Sequence, residues 1–183
     1  RRRQDNVGVA SRIGHEALAQ GTLTYEKIIG TFGGGILKED GDIDRKALGD
    51  LVFNDEDKRQ KLNSIVHPFI YKNVSAQIKA LKQQGYIGVV VIDAALLFEI
   101  KLADFTDVVI VAYADEEVRI HRITQSRIID LAKIRRIMDT QASDESLELL
   151  ADYEVDNSFT LKETEDQMDA ILHEILEYYE DDD

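Results

Sequence analysis

The sequence of 183 residues contains no cysteine, no tryptophan and only one proline. The lack of cysteine excludes disulfide scaffolds, thiolate zinc sites and cysteine nucleophiles. Long apolar runs are also missing, because the longest, Val89 to Phe98, is interrupted by Asp93. Such a run is too short to cross a bilayer, and nothing resembles a signal peptide. The sequence therefore predicts a soluble, intracellular, cytoplasmic protein without a membrane partner.

A nucleotide-binding phosphate loop is missing from these residues as well. The glycine-rich stretch from Gly30 to Gly35 is followed by Ile36 and Leu37 rather than by lysine and a hydroxyl residue. It therefore offers neither the lysine that contacts the β- and γ-phosphates nor the hydroxyl that binds Mg²⁺. A glycine turn between helices is the better interpretation of this stretch.

Positive charge is scarce and unevenly distributed. The chain has 22 basic and 36 acidic residues, which gives a net charge of −14. Residues 144–183 contain 16 acids and a single base, Lys162, so the first 143 residues are close to neutral. Such an acidic chain disfavours a nucleic-acid partner, although a small anionic ligand could bind outside the acidic stretch.

One dense basic segment, residues 119–136, stands against this background. It contains one acid, Asp130, and six bases: Arg119, Arg122, Arg127, Lys133, Arg135 and Arg136. Arginine side chains match phosphate oxygens bidentately, so the segment is a candidate phosphate site. In isolation, a solvated pair of helices explains the same charges better.

Two β-branched, continuously apolar runs predict strands that are covered on both faces. They are Ile87–Asp93 and Asp107–Tyr113, and Tyr153–Asp156 is a shorter third candidate. Helical patterns alternate with these runs, and their predicted bounds are Pro68 to about Gln84, Asp115 to about Gln125 and Leu131 to about Thr140. A capping box, Thr160–Glu163, precedes a last helix whose predicted apolar stripe is Leu161, Met168, Leu172, Ile175 and Tyr179. This order predicts an α/β fold, with a mainly parallel sheet and helices on both faces.

The chain length fits a single domain, within which three regions can be predicted. Residues 12–84 are mostly helical, with glycine turns at 33–35 and 40–42, and form a predicted helical subdomain. Residues 115–141 form a pair of helices beside a core of 87–113 and 142–183. Asp93 ends the first predicted strand, where open parallel sheets bind ligands. Its carboxylate could hold Mg²⁺ or orient a substrate hydroxyl, and a helix cap or turn residue is an equally good interpretation.

Together these features resemble the dephospho-coenzyme A kinase family, a group within the P-loop nucleoside-monophosphate-kinase-like fold. Six segments match family motifs in the family's order. They are Arg12–Leu18, Phe32–Leu37 with Asp40–Leu48, Val52–Phe53 with Leu62–Pro68, Asp93–Glu99, Arg136–Ile137 with Gln141, and Ala151–Tyr153 with Asp156–Ser158. Ala95 stands where the family usually has proline. The resemblance covers about residues 10–175.

The resemblance implies transfer of the ATP γ-phosphate to the ribose 3′-hydroxyl of dephospho-CoA, with Mg²⁺ as cofactor. Asp93 would be a catalytic residue and the metal ligand, and Arg136 a second catalytic residue that contacts phosphate. The implied nucleotide-binding residues are Arg122, Arg127, Gln141 and Asn157, the last at the adenine. The implied substrate-binding residues are Ser11, His67, Phe98 and Glu99. Residues 115–141 correspond to the family's helical lid and 12–84 to its CoA-side subdomain.

Three differences from the family pattern lead to an expectation of little activity for these residues alone. The family's first strand, phosphate loop and following helix precede the matching region, so the chain is expected to be an incomplete piece or to take that strand from another chain. Ser11 stands where the family has a second aspartate, and Ser126-Arg127-Ile128 replaces the family's Arg-Asp-Gly. Two alternatives remain open: a non-catalytic nucleotide- or CoA-binding partner module, and a kinase for another small hydroxyl substrate. The sequence does not indicate an oligomeric state.

Overall fold

The computed structural model describes residues 10–53, 55–126, 130–138, 147 and 149–180. Side chains are described for these residues except at 10–12, 126, 133, 136, 137 and 180. The chain divides into two units, Arg1–Thr106 and Asp107–Asp183. The predicted regions within a single domain stay a prediction. Within the described ranges, no helix combines the length and the apolar character that crossing a membrane requires.

Unit 1 is helical, as predicted for residues 12–84. Its α-helices are α1 (Ala10–Glu16), α2 (Leu23–Phe32), α3 (Arg45–Phe53) and α4 (Glu56–Gln83), with short 3₁₀ helices at Gly34–Ile36 and Leu102–Phe105. Gly33 ends α2 with a φ of 79°, a conformation that glycine adopts without strain. The glycine-rich stretch is therefore a turn after a helix, as the sequence indicates.

Helix α4 starts much earlier than predicted, and Pro68 lies inside it rather than in its first turn. The helix begins after Asp55, whose side chain accepts a hydrogen bond from the Lys58 amide at 3.1 Å. Pro68 cannot donate to the carbonyl of Ser64 four residues earlier, which costs about 3 kcal/mol in a helix interior. Tertiary packing outweighs this cost, because Phe69 and residues on both sides of Pro68 contact the core of the unit.

Two apolar clusters share α4. The first consists of Ile13 from α1, Ile70 and Val74 from α4, and Ile100 and Leu102 from the segment after it. The second consists of Ile28, Ile36, Ile43 and Leu48, from α2, α3 and the turns between them. Val66 on α4 packs against both clusters. Since burial of such side chains stabilises by about 1.5–3 kcal/mol each, this one helix organises the unit.

The prediction of a strand at Ile87–Asp93 is wrong. These residues carry no helix or strand assignment, and Ile87 is 99% exposed. A β-strand exists through hydrogen bonds to a neighbour, and the strand pairing found among the described residues joins two other segments. The composition of these residues is apolar and β-branched, but a strand also needs a hydrogen-bonded neighbour, which composition does not specify.

Unit 2 contains the parallel pair of strands β1 (Ile110–Tyr113) and β2 (Tyr153–Asp156), with Ile110 opposite Tyr153. Its helices are α5 (Glu116–Ser126), α6 (Leu131–Met138) and α7 (Leu161–Glu180). The predicted bounds of β2 are confirmed, whereas β1 covers only the second half of the predicted run. The α/β class with a parallel sheet is confirmed, and the sheet has two strands in the described part of the chain.

The predicted capping box at the start of α7 is present. The amide of Thr160 donates to Glu163 Oε2 at 2.9 Å, and the Glu163 amide donates to Thr160 Oγ1 at 3.3 Å. The predicted apolar stripe is correct only in its middle, because Leu161 is 73% exposed and Tyr179 is 47% exposed. The central turns of α7 are therefore partly buried, whereas the apolar residues at its two ends are exposed.

We expect Pro68→Ala to stabilise the fold. Alanine restores the amide that can donate to the Ser64 carbonyl, and Pro68 is exposed, so no core contact is lost. The gain is partly offset because proline also restricts the unfolded chain, which leaves an increase of about 1–2 kcal/mol in the free energy of unfolding. Urea unfolding measures it. Lys72→Ala, at another exposed position of α4, serves as the control, and a lower stability of Pro68→Ala would contradict this account.

Candidate active site

Asp93 is exposed to solvent between two chain neighbours that pack against the core. Its neighbours Ile92 and Ala94 both pack against the cluster around Ile70 and Val74, whereas Asp93 is exposed. Packing of the residue on each side of Asp93 against the cluster holds this part of the chain on the core and leaves the carboxylate on the solvent side. The apolar residues thus fix the position of an exposed carboxylate without contacting it.

The residues after Asp93 form a hydrogen-bonded turn that carries Phe98 and Glu99. The amide of Ile100 donates to the Leu96 carbonyl at 3.1 Å, and the amide of Leu102 donates to the Leu97 carbonyl at 2.8 Å. Leu97 packs against the first cluster, and Ile100 and Leu102 are buried in it. Phe98 is half-buried and Glu99 is exposed. The turn is therefore anchored at both ends while it exposes a carboxylate.

His67 and Glu99 come together in unit 1. Partial burial of the imidazole on α4 lowers the pKa of His67 below its ordinary value, and the negative charge of Glu99 opposes this shift. Burial is the larger effect, because it penalises the charged form of the imidazole. His67 is therefore held as a neutral imidazole beside a carboxylate near pH 7, which suits it to accept or donate a hydrogen bond to a neutral group.

In unit 2, Arg122 and Asn157 come together through the backbone. Arg122 Nη1 donates to the Asn157 carbonyl at 2.6 Å, and Nη2 donates to the Phe159 carbonyl at 3.0 Å. The Asn157 amide donates to the Tyr113 carbonyl at 2.8 Å. Asn157 thus follows directly from the end of β2, at the carboxyl ends of both strands. This is the edge at which parallel sheets bind ligands.

Two residues that position Asn157 were not predicted from the sequence. Thr164 donates its hydroxyl hydrogen to Asn157 Oδ1 at 3.1 Å. The Gln167 side chain accepts from the Asp156 amide and donates to the Asp156 carbonyl, each at 2.9 Å. Both lie on α7, one and two turns after its capping box. The capping box predicts that α7 begins shortly after β2. It does not predict the roles of Thr164 and Gln167, because polar side chains that position a neighbouring segment have no distinctive sequence motif.

The remaining predicted site residues are not tested by the structure. Arg127 and Gln141 lie outside the described residues. Ser11 lies in α1 and Arg136 in α6, and their side chains also lie outside the description. Their roles stay predictions.

Two surface cavities are lined by residues other than the predicted site residues, although Thr164 in one of them contacts Asn157. One, of about 340 Å³, is lined by Thr164, Glu165, Met168 and Asp169. The other, of about 380 Å³, is lined by Ser75, Ile78, Lys79, Lys82, Gln83 and Phe105. The support for the predicted site residues therefore comes from their hydrogen bonds, their charge and their position in the fold, and not from these cavities.

A metal would have few protein ligands here. Within the ranges that the structure describes, no three histidine or acidic side chains gather closely enough to hold a metal ion. A lone carboxylate such as Asp93 nevertheless fits Mg²⁺, which is commonly held by one or two carboxylates together with substrate phosphates.

We expect His67 to make the stability of the protein depend on pH. The pKa of His67 is lower in the folded state, so the unfolded chain binds the proton more tightly. The free energy of unfolding therefore keeps its full value above about pH 6.5, the ordinary pKa of histidine, and decreases as the pH falls below that value. His67→Gln should therefore lose less stability than wild type between pH 7.5 and 5.5, as measured by urea unfolding. His15→Gln, which removes an exposed histidine, is the control. Equal losses in wild type and His67→Gln would show that burial does not act on this imidazole.

Comparisons with known proteins identify the family of this chain. The dephospho-CoA kinase family profile matches residues 7–163. A dephospho-CoA kinase from Carboxydothermus hydrogenoformans is 40% identical over 167 residues, which cover 89% of this chain and 79% of that protein. One from Bacillus licheniformis is 41% identical over 164 residues, which cover 89% of this chain and 81% of the relative.

Solved structures show the same fold. A dephospho-CoA kinase from Campylobacter jejuni superposes with a TM-score of 0.61 at 28% identity, covering 91% of this chain and 82% of that one. The Thermus thermophilus protein TT1252 superposes with a TM-score of 0.69, covering 90% of this chain and 82% of that one. Its identity of 21% supports the fold alone. From the extent of the profile match and the identity to these relatives, the chain belongs to the dephospho-CoA kinase family.

Proposed function

We propose that the protein takes part in the last step of coenzyme A synthesis, as a kinase that phosphorylates the ribose 3′-hydroxyl of dephospho-CoA with ATP. The family match over residues 7–163 is the observation that carries this proposal. In the reaction, the 3′-oxygen forms a bond to the γ-phosphorus and the bond from that phosphorus to the β–γ bridging oxygen breaks. ADP leaves, and the hydroxyl proton passes to a base.

The acceptor would be bound by unit 1. Asp93 is the proposed partner of the 3′-hydroxyl, because its exposed carboxylate can accept a hydrogen bond and orient that hydroxyl. His67 and Glu99 lie near each other and expose polar groups that can bind the ribose or its neighbours, and the half-buried Phe98 offers an aromatic contact. Ser11 is proposed to lie on the same side, by the family resemblance alone.

The nucleotide would be bound by unit 2. Asn157 is the proposed adenine contact, and its place directly after β2 supports this role. Arg122 would belong to the nucleotide site. Arg127 and Arg136 would add positive charge, and Gln141 a polar contact, in the one dense basic segment of an acidic chain. Phosphoryl transfer depends chiefly on positioning and on neutralising the charge of the phosphates, which is chemistry that arginine side chains supply.

Mg²⁺ is the proposed cofactor, with Asp93 as its protein ligand. Asp93 would hold the ion, which would supply positive charge beside the phosphates of the nucleotide. The protein would contribute the fixed position of the Asp93 carboxylate, which follows from the packing of Ile92 and Ala94 against the core.

A second candidate is a non-catalytic relative that binds nucleotide or CoA as a regulatory or partner module. The presence of Ser11 in place of a carboxylate favours it, since serine cannot act as a carboxylate base. The absence of a Gly-Lys-Ser or Gly-Lys-Thr sequence within residues 1–183 favours low turnover by this chain alone. We therefore propose that these 183 residues bind dephospho-CoA but phosphorylate it little or not at all.

We expect Asp93→Asn to change the affinities for substrate and product in opposite directions. The carboxylate accepts a hydrogen bond from the 3′-hydroxyl of dephospho-CoA but repels the 3′-phosphate of CoA. The variant should bind dephospho-CoA about tenfold more weakly, as expected for a hydrogen bond to a charged group, and CoA more tightly. Calorimetry measures both affinities. Asp104→Asn, at another exposed aspartate of the unit, is the matched control, and parallel changes for the two ligands would remove Asp93 from the acceptor site.

Turnover separates the enzyme from the binding module. A coupled assay of ADP release with ATP and dephospho-CoA, with the product identified by mass, should detect little or no turnover by the 183-residue chain. Robust formation of CoA would contradict the expectation of low activity. Calorimetry with dephospho-CoA, AMP, GMP and shikimate identifies the acceptor, and failure to bind dephospho-CoA would overturn the proposed function.

A further inference from the structure

The contact between Arg122 and the loop at 157–160 has a consequence for nucleotide recognition. The two terminal nitrogens of one guanidinium hold the carbonyls of Asn157 and Phe159, at 2.6 and 3.0 Å. These carbonyls are two residues apart, so the planar side chain bridges the bend of the loop. A guanidinium has five donors in a rigid fork, which suits it to fix two acceptors at once.

The 157–160 loop has little apolar support of its own. Its residues belong to neither β2 nor α7, and the Phe159 side chain is 61% exposed. Other hydrogen bonds hold its beginning: Ser158 Oγ accepts from the Asp115 amide at 2.9 Å, and the Ser158 amide donates to Asp156 Oδ1 at 2.8 Å. In the part of the chain that the structure describes, the carbonyls of Asn157 and Phe159 have Arg122 as their recorded donor.

Asn157 is the residue whose position the bridge controls. Its side-chain oxygen is occupied by the Thr164 hydroxyl at 3.1 Å. The same hydroxyl also lies 3.3 Å from the Thr160 carbonyl. The side-chain NH₂ group of Asn157 can donate to a ligand. An NH₂ donor of this kind matches an acceptor nitrogen of a purine ring.

We propose that Arg122 is a positioning residue for adenine recognition, which acts through Asn157 and the 157–160 loop rather than as a ligand of the phosphates. This inference rests on the proposed function, in which Asn157 contacts the adenine. Two of the five guanidinium donors are directed at these carbonyls, so the loop and the Arg122 side chain fix each other's orientation. The α5 helix thereby sets the shape of a loop that belongs to a distant part of the sequence.

The first test concerns the bridge and needs no ligand. In amide hydrogen exchange of the 183-residue chain, Arg122→Ala should speed exchange of residues 157–160 about tenfold, as expected for losing hydrogen bonds from a charged donor. Arg122→Lys keeps the charge but cannot bridge two carbonyls, so it should behave like Arg122→Ala. Gln125→Ala, one turn further along α5, should leave the loop unchanged. Unchanged exchange in both Arg122 variants would overturn the proposal.

The second test separates base recognition from phosphate binding. Calorimetry compares adenosine, ATP and inorganic tripolyphosphate on the wild type and on Arg122→Ala. A positioning role requires adenosine and ATP to weaken by the same factor, about tenfold, while tripolyphosphate is unaffected. Weakening of ATP and tripolyphosphate with adenosine unchanged would overturn the proposal in favour of a phosphate ligand. If the wild type binds neither adenosine nor ATP, the proposed function fails and the adenine role fails with it, whereas the exchange experiment still decides the bridge.

Discussion

Apolar contact between α4 and the segment after it is the constraint on which the acceptor side depends. Ile70 and Val74 of α4 are buried together with Ile100 and Leu102. Between these fixed points, Ile92, Ala94 and Leu97 also reach the same cluster, and the polar residues that alternate with them are left facing outward. The carboxylates of Asp93 and Glu99 are thus positioned by groups that perform no chemistry. The same helix carries His67, so one packing surface sets the locations of all three polar groups.

Nucleotide-side geometry rests on a different physical principle. In unit 2, polar side chains bond to backbone at the carboxyl ends of the strands: Gln167 at Asp156, Arg122 at Asn157 and Phe159. Each bond is directional, so a small set of side chains specifies the path of a loop that has almost no apolar contact. A hydrophobic cluster tolerates substitutions of similar volume, whereas a bridging guanidinium has no substitute of the same geometry. The two sides of the proposed reaction should therefore differ in how much sequence change they accept.

Features that depend on the local preferences of the residues themselves were predicted well from the sequence. Features that depend on contacts with distant residues were predicted poorly. The helical character of 12–84, the glycine turn at Gly33 and the capping box at Thr160 were correct because each is a local preference of the residues themselves. The strand expected at Ile87–Asp93 and the helix start expected at Pro68 were wrong, because pairing and tertiary packing decide them. Motif order identified the family, but the bridge from Arg122 could not have been foreseen, since its acceptors are carbonyl groups that every residue carries.

The extended stretch before Asp93 has a consequence for handling the protein. Ile87 is 99% exposed, and Val89 and Val91 are 38% and 45% exposed, on backbone that no strand pairs with among the described residues. Apolar, β-branched chain of this kind is a template for strands from other molecules. Self-association through this stretch would grow with concentration, and salt would favour it by screening the repulsion between chains that each carry a net charge of −14. This short apolar stretch therefore opposes the solubility that the large negative charge favours.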